Sequence, residues 1–299
     1  MKFKYLIILF SIIIVIIILV TALLPVLLTG PVLMVDFWNV IMPVMVFMVL
    51  LLVSVIIFFL FNYRLLSLLD REDWPALSYY LEQKIFVKGR YSARKVRLLA
   101  SSYLVISDFA SVLKLESKVL LAKPSIINKY VLIFGAARVL VGNPKGAADF
   151  FKTYLEKGKA KDRQWIHWFY GFSHLLNGSF NLAEPEFKSL AISSDDILIT
   201  GLSAYFLNCS VANYSLKPEE CLAIAENGRS RVIKTLKTQY NWKKEAAKTE
   251  TDIHIVIIKK YIDEAGDWLF MPPPKPEPEL EPEIPQDDEE GGEDPPLEL

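Results

Sequence analysis

The sequence predicts an all-α chain: an N-terminal two-helix transmembrane hairpin, then an α-solenoid of stacked helical hairpins, then a disordered acidic tail. Three observations carry this expectation. Two uncharged apolar stretches, Tyr5 to Leu28 and Phe37 to Phe61, lie near the start. A short turn signal comes next and recurs about every 35 residues, at Arg71-Glu72-Asp73-Trp74, Ser107-Asp108-Phe109, Gly142-Asn143-Pro144 and Gly178-Ser179-Phe180. From Pro272 onward the chain holds 11 acidic residues, nine prolines and a single lysine, Lys275.

Each apolar stretch is long enough for a membrane helix, which needs roughly 20 residues to cross a hydrocarbon core of about 30 Å. The Ile-rich run Ile12 to Ile18 would suit a buried strand in water. Its length decides for a helix, because a lone strand in lipid leaves its backbone groups unpaired. A cleaved leader is disfavoured: the apolar core is too long and a second span comes at once. The connection around Gly30-Pro31 to Asp36 holds no Lys or Arg, while Lys2 and Lys4 precede the pair and Arg64, Arg71, Lys84, Lys88 and Arg90 come after it. The positive-inside tendency then puts both ends in the cytoplasm. Tyr5 and Trp38 fall where interfacial aromatics are expected, and Asp36 reads as a carboxylate in the headgroup zone.

Charge is unevenly divided. The formal net charge is −1, the tail contributes −10, and the rest of the chain therefore carries +9. The tail is too poor in apolar groups to fold. It is expected to be a solvated tether, to occupy a basic groove of the same chain, or to recruit a partner as an extended segment. No dense Lys/Arg stripe marks a nucleic-acid surface. The two cysteines, Cys209 and Cys221, form no CxxC pair and are expected as free thiols filling small packing positions.

Aligned on the turns, the segments give a two-helix unit. First helices carry Val96, Leu99, Ala100 and Tyr103; Val131, Phe134, Gly135 and Arg138; then His167, Tyr170, Gly171 and His174. Second helices place Leu77, Val112, Ala147 and Ala183 at one position, spaced 35, 35 and 36 apart, with Leu81, Phe151 and Phe187 a turn later. Small residues let paired helices approach closely and large ones fill the space between. One period upstream, a first helix at about Ile57 to Asp70 overlaps the second span, so the span is expected to run unbroken into the first unit. Downstream, Leu202 to Gly228 reads as a further unit and Ile253 to Trp268 as a terminal capping helix.

The segment Val96, Leu99-Ala100, Tyr103, Asp108-Phe109 and Pro124 resembles a repeat of the tetratricopeptide family, as does Tyr170-Gly171, Gly178, Phe180, Ala183 and Phe187. Arg138, His174, Val112 and Pro144 depart from that pattern. The order of two spans and then repeats is similar to HemY-type bacterial membrane proteins, a resemblance that implies a two-span protein of a bacterial inner membrane. The expected division is residues 1–62 for the membrane hairpin, 63–228 for the repeats, 229–271 for capping helices and 272–299 for the tail.

The resemblance implies a scaffold or adaptor that takes a protein or peptide partner in a concave groove lined by first helices. The implied positions are Arg94, Arg97 and Ser101, then Lys129, Leu132 and Ala136, then Trp165, Trp168 and Phe172. Ser101 and Ala136 stand where the chaperone-type carboxylate clamp has Asn. The three aromatics are open to a second reading, in which C-terminal helices or another chain cover them. A structural subunit packed by its spans into a larger membrane complex is the alternative function. No phosphate-binding loop, nucleophile elbow or metal motif occurs, so no enzyme activity, cofactor or metal is expected. His167 and His174 stand two turns apart on one helix, too far for a shared metal without help.

Overall fold

The computed structural model describes residues 2–29, 34–249 and 253–271, and every regular element among them is helical. The expected loop at Gly30-Pro31, the tail from Pro272 and the side chains of Asp36 and Trp38 lie outside the described residues. In chain order the helices are α1 (Lys2–Thr29), α2 (Met34–Asp70), α3 (Trp74–Glu82), α4 (Ala93–Val105), α5 (Phe109–Ala122), α6 (Val131–Leu140) and α7 (Pro144–Lys157). They continue as α8 (Arg163–Leu176), α9 (Phe180–Ser193), α10 (Ile197–Phe206), α11 (Pro218–Leu236), α12 (Gln239–Thr249), α13 (Ile253–Ile257) and α14 (Lys259–Leu269).

Helices α1 and α2 pack on each other, and α2 is one unbroken helix through Asn62-Tyr63-Arg64, as expected. Its stretch Met42–Asp70 is long and apolar enough to cross a membrane; in α1 the described apolar stretch is Ile8–Thr21. Phe47, Leu50, Phe58 and Leu60 on α2 are exposed.

From α2 to α9 consecutive helices are joined alternately by three-residue turns and longer loops. The four turns share one backbone geometry. The residue before the helix N-cap is left-handed in each: Glu72 (φ 54°), Ser107 (φ 59°), Gly142 (φ 78°) and Gly178 (φ 71°). Two amide bonds close each helix end in the Schellman manner. Asp73 N donates to Leu68 O and Glu72 N to Leu69 O; the same pair recurs at Asp108, Asn143 and Ser179. In three turns the next side chain caps the helix it precedes, Asp73 on Ala76 N, Asp108 on Ser111 N and Asn143 on Gly146 N. Ser179 makes no such cap.

These reversals bring paired helices together in antiparallel register. A Cβ built on Gly135 of α6 would stand 2.1 Å from Phe151 Cζ of α7. On Gly171 of α8 it would meet Glu186 Cβ at 3.1 Å and Phe187 Cε1 at 3.4 Å in α9. Both glycines precede their aromatic by sixteen residues. The corresponding residue after Ala100 is Glu116, which is buried and takes a two-pronged ion pair from Arg138 at 2.6 and 3.0 Å. Arg138 also lies over the Phe150 ring at 4.1 Å. An ion pair thus replaces aromatic filler between α5 and α6.

The C-terminal part departs from the expectation in three places. Helix α11 runs through the expected boundary at Gly228 to Leu236. The terminal helix is broken at Ile258 into α13 and α14. Cys221 is buried, whereas Cys209 is exposed: it sits in a π-helical turn, Leu207–Val211, which rotates it out of the register shared by the earlier units. Trp242 of α12 locks this end. Its ring is clamped between Gly201 of α10 and Gly266 of α14, and its Nε1 donates to Ile262 O at 2.9 Å. Arg229 donates to Leu269 O and Met271 O, and Tyr205 to Glu264, so α10 and α11 both hold α14. Burial, then the Glu264 contact, pushes the Tyr205 hydroxyl up to about 12.

Three outcomes test this packing in thermal unfolding of the full chain in nonionic detergent. Gly135→Ala is expected to destabilise by about 1–3 kcal/mol, more than Gly171→Ala, with recovery on adding Phe151→Leu. Glu116→Leu leaves Arg138 without its partner and is expected to cost about 3 kcal/mol, recovered when Arg138→Met is added. Burial holds the His174 imidazole below its ordinary 6.5, against the opposing pull of Glu186 and Asp149, with Lys152 acting in the same direction as burial. A depressed folded value means that the unfolded chain binds the proton first. His174 therefore costs no stability above 6.5 and lowers it as pH falls below that value. His174→Gln is expected to flatten the fall in unfolding midpoint between neutral and mildly acidic pH.

Candidate partner-binding cleft

The sequence-predicted groove residues separate into two groups in space. Arg97 and Lys129 meet, with Ser101 and Leu132, around one cleft of about 80 Å³. Helix α4 supplies Arg97 and Ser101, one turn apart on the same face. Lys129 ends the 3-10 segment Pro124–Lys129, Tyr130 follows it, and the first turn of α6 adds Val131 to Ile133. Lys161 and Asp162, just before α8, close one side, held by the bond from Lys161 N to Asn128 O at 3.1 Å. His254 of α13 forms the floor. Arg94 is exposed but does not line this cleft, and Ala136 is buried.

Trp165, Trp168 and Phe172 are not groove residues. Trp168 is 0 % exposed and the other two are also buried, which is the second of the two readings the sequence left open. The covering elements are C-terminal. The His254 ring sits 5.4 Å from Trp165, and Tyr261 of α14 sits 5.4 Å from Phe172. Trp168 stacks on Phe172 at 5.0 Å and touches Phe187 and Phe206 edge-on or tilted. Trp165 Nε1 donates to Asp196, the residue that also caps α10. The aromatic end of the expected groove is thus the core that joins α8 to the C-terminal helices.

Sequence reasoning missed Lys161 and His254 as cleft residues. Lys161 belongs to a loop, and His254 reaches the cleft only because α13 folds back onto α6. Nothing in the spacing along the chain announces that return.

Chemically, the cleft offers three long cationic side chains, one carboxylate and an aromatic-backed imidazole. The Lys161–Asp162 pair is loose at 3.9 Å, and Lys161 is largely exposed. Such a rim suits a carboxylate-bearing segment, since charge-assisted hydrogen bonds are the stronger kind. The other histidines are engaged elsewhere: His167 pairs with Glu186 in α9, and His174 lies edge-on to Tyr170 at 4.6 Å. Among the described residues no three His, Cys, Asp or Glu side chains cluster as a metal site.

An uncharacterized protein of Treponema pallidum (strain Nichols) is 28% identical over 217 residues, covering 70% of this chain and 69% of that one. No solved structure matches. A family model described as "Uncharacterised Treponema protein" matches residues 111–271, from the first turn of α5 to the end of the described chain, and includes Lys129, Lys161 and His254 but not Arg97. That match spans more than half of the chain, and the protein belongs to this family.

Proposed function

We propose that the protein is a membrane-anchored scaffold of tetratricopeptide type. In this reading α1 and α2 form a transmembrane hairpin, residues 63–228 are repeat units and the C-terminal helices cap them. The hairpin holds the repeats at the cytoplasmic face of a bacterial inner membrane. Their function is to bind an acidic protein or peptide segment in the cleft between α4, α6 and α13.

The observation that carries the reading is the convergence of Arg97, Lys129 and Lys161 on one concave site, supplied by successive hairpins. Support for the repeat character comes from the four turns, which repeat the same left-handed residue and the same pair of amide bonds at the 35-residue period. Support for anchoring comes from the length and apolarity of α2.

Site-specific photocrosslinking in cells tests the binding function. A crosslinker at Ser101 is expected to trap a discrete partner, and Arg97→Glu with Lys129→Glu is expected to weaken that capture about tenfold or more. Equal capture by the wild-type and charge-reversed chains would reject the basic cleft as the binding site. Reporters fused after Phe61 and at the C-terminus are expected to be active on the cytoplasmic side.

A further inference from the structure

We propose that the loops at one end of the helix stack dock onto anionic lipid headgroups, an inference that rests on the anchoring of α2 in a bilayer. Chain direction sets the geometry. Helix α2 leaves its apolar stretch at Arg64, the first charge after Phe61, and ends at Asp70. The turn at Arg71 to Asp73 sends α3 back antiparallel along it. Arg64 lies 5.2 Å from the centre of the Tyr80 ring, and Lys84 lies 5.4 Å from the same ring. Lys84 is therefore brought back to the level at which α2 emerges.

Each later hairpin repeats the reversal. Glu116 of α5 pairs with Arg138 of α6, and Phe151 of α7 packs on Phe169 of α8 at 5.7 Å. The loops 83–92, 123–130 and 158–162 consequently gather at the end where α2 emerges, and the turns at 71–73, 106–108 and 141–143 gather at the other.

The two ends differ in charge. The three loops hold Lys84, Lys88, Arg90, Lys123, Lys129, Lys159 and Lys161 against a single acid, Asp162. The opposite turns hold Arg71 against Glu72, Asp73 and Asp108. Five of the seven loop cations lie outside the proposed partner cleft, and only Lys161 forms an ion pair among the described residues. Apolar tips accompany the cations: Val87 is 71% exposed and Leu121, in the last turn of α5, is 90% exposed. Val105 and Val141 are also exposed at the other end, so charge and not apolarity distinguishes the two. The next loop along the stack, 194–196, is acidic, with Asp195 and Asp196. Cation enrichment is thus confined to the three loops closest in the chain to α2. A bilayer with anionic headgroups fits such a surface, each Lys or Arg near it contributing about 1 kcal/mol.

The test uses the full chain with Cys209→Ser, carrying a fluorophore at Val87→Cys or, as the opposite-end control, at Val105→Cys. The chain is reconstituted in phosphatidylcholine vesicles with or without phosphatidylglycerol, a nitroxide on the headgroup serving as quencher. Retention of the chain on carbonate washing reports anchoring separately; loss there overturns the anchoring and the docking with it. In a retained chain, quenching at Val87→Cys is expected to rise about threefold or more with phosphatidylglycerol while Val105→Cys stays unchanged. High salt, or Lys84→Glu with Lys88→Glu and Arg90→Glu, is expected to abolish the rise. Retention with equal quenching at both sites, or quenching indifferent to phosphatidylglycerol, overturns the docking alone. Quenching that appears only after residues 272–299 are removed also overturns it, by making the acidic tail the occupant of these loops.

Discussion

The packing depends on a backbone constraint: the chain must reverse within three residues while satisfying the polar groups of two helix ends. A left-handed residue and then a capping side chain meet both demands, and the protein places that left-handed residue at Glu72, Ser107, Gly142 and Gly178. A turn of fixed length fixes the register of the returning helix. The residue sixteen positions after Gly135 or Gly171 must return opposite it, and in both places that residue is phenylalanine. The close approach of the helices and the aromatic that occupies it are two consequences of one turn. Glu72 and Ser107 carry the strain of a left-handed backbone with a side chain attached, roughly 1–2 kcal/mol each, a cost set against satisfied helix ends.

Where the aromatic is absent, electrostatics takes its place. Glu116 occupies the position of Phe151 and Phe187, and it is tolerated in the interior because Arg138 meets both of its oxygens. The exchange is reciprocal, since Arg138 stands where the repeat resemblance expects an aromatic. The departure at Arg138 and the buried Glu116 are one interaction in the structure. Such a pair adds little net stability over apolar filler but makes register specific, because neither partner is acceptable alone.

At the far end the stack is closed by a different device. The ring of Trp242 enters between two glycines of different helices, Gly201 and Gly266, which lie 65 residues apart in the sequence. Once α14 is held there, α13 falls against α6 and covers Trp165, while Tyr261 covers Phe172. The same fold-back that removes the aromatics from the surface supplies His254 as the floor of the basic cleft. Core and candidate site share a cause.

The sequence by itself determined the helical class, the long apolar stretches, the turn positions and the pairing of small with large residues, because these are local or recur at a fixed period. Helix boundaries near Ala93, Phe109 and Pro144 come directly from caps and a proline that act on their immediate neighbours. The family resemblance also singled out Arg97 and Lys129 as first-helix positions, though Lys129 ends the 3-10 segment that precedes α6. Only the tertiary structure decided that Trp165, Trp168 and Phe172 are interior, that Cys209 turns outward at a π-helical turn, and that Lys161 and His254 join the cleft. For the aromatics and His254 the deciding event is the return of α12 to α14. That return is set by the fit of one indole against two distant glycines, a long-range contact with no period to read.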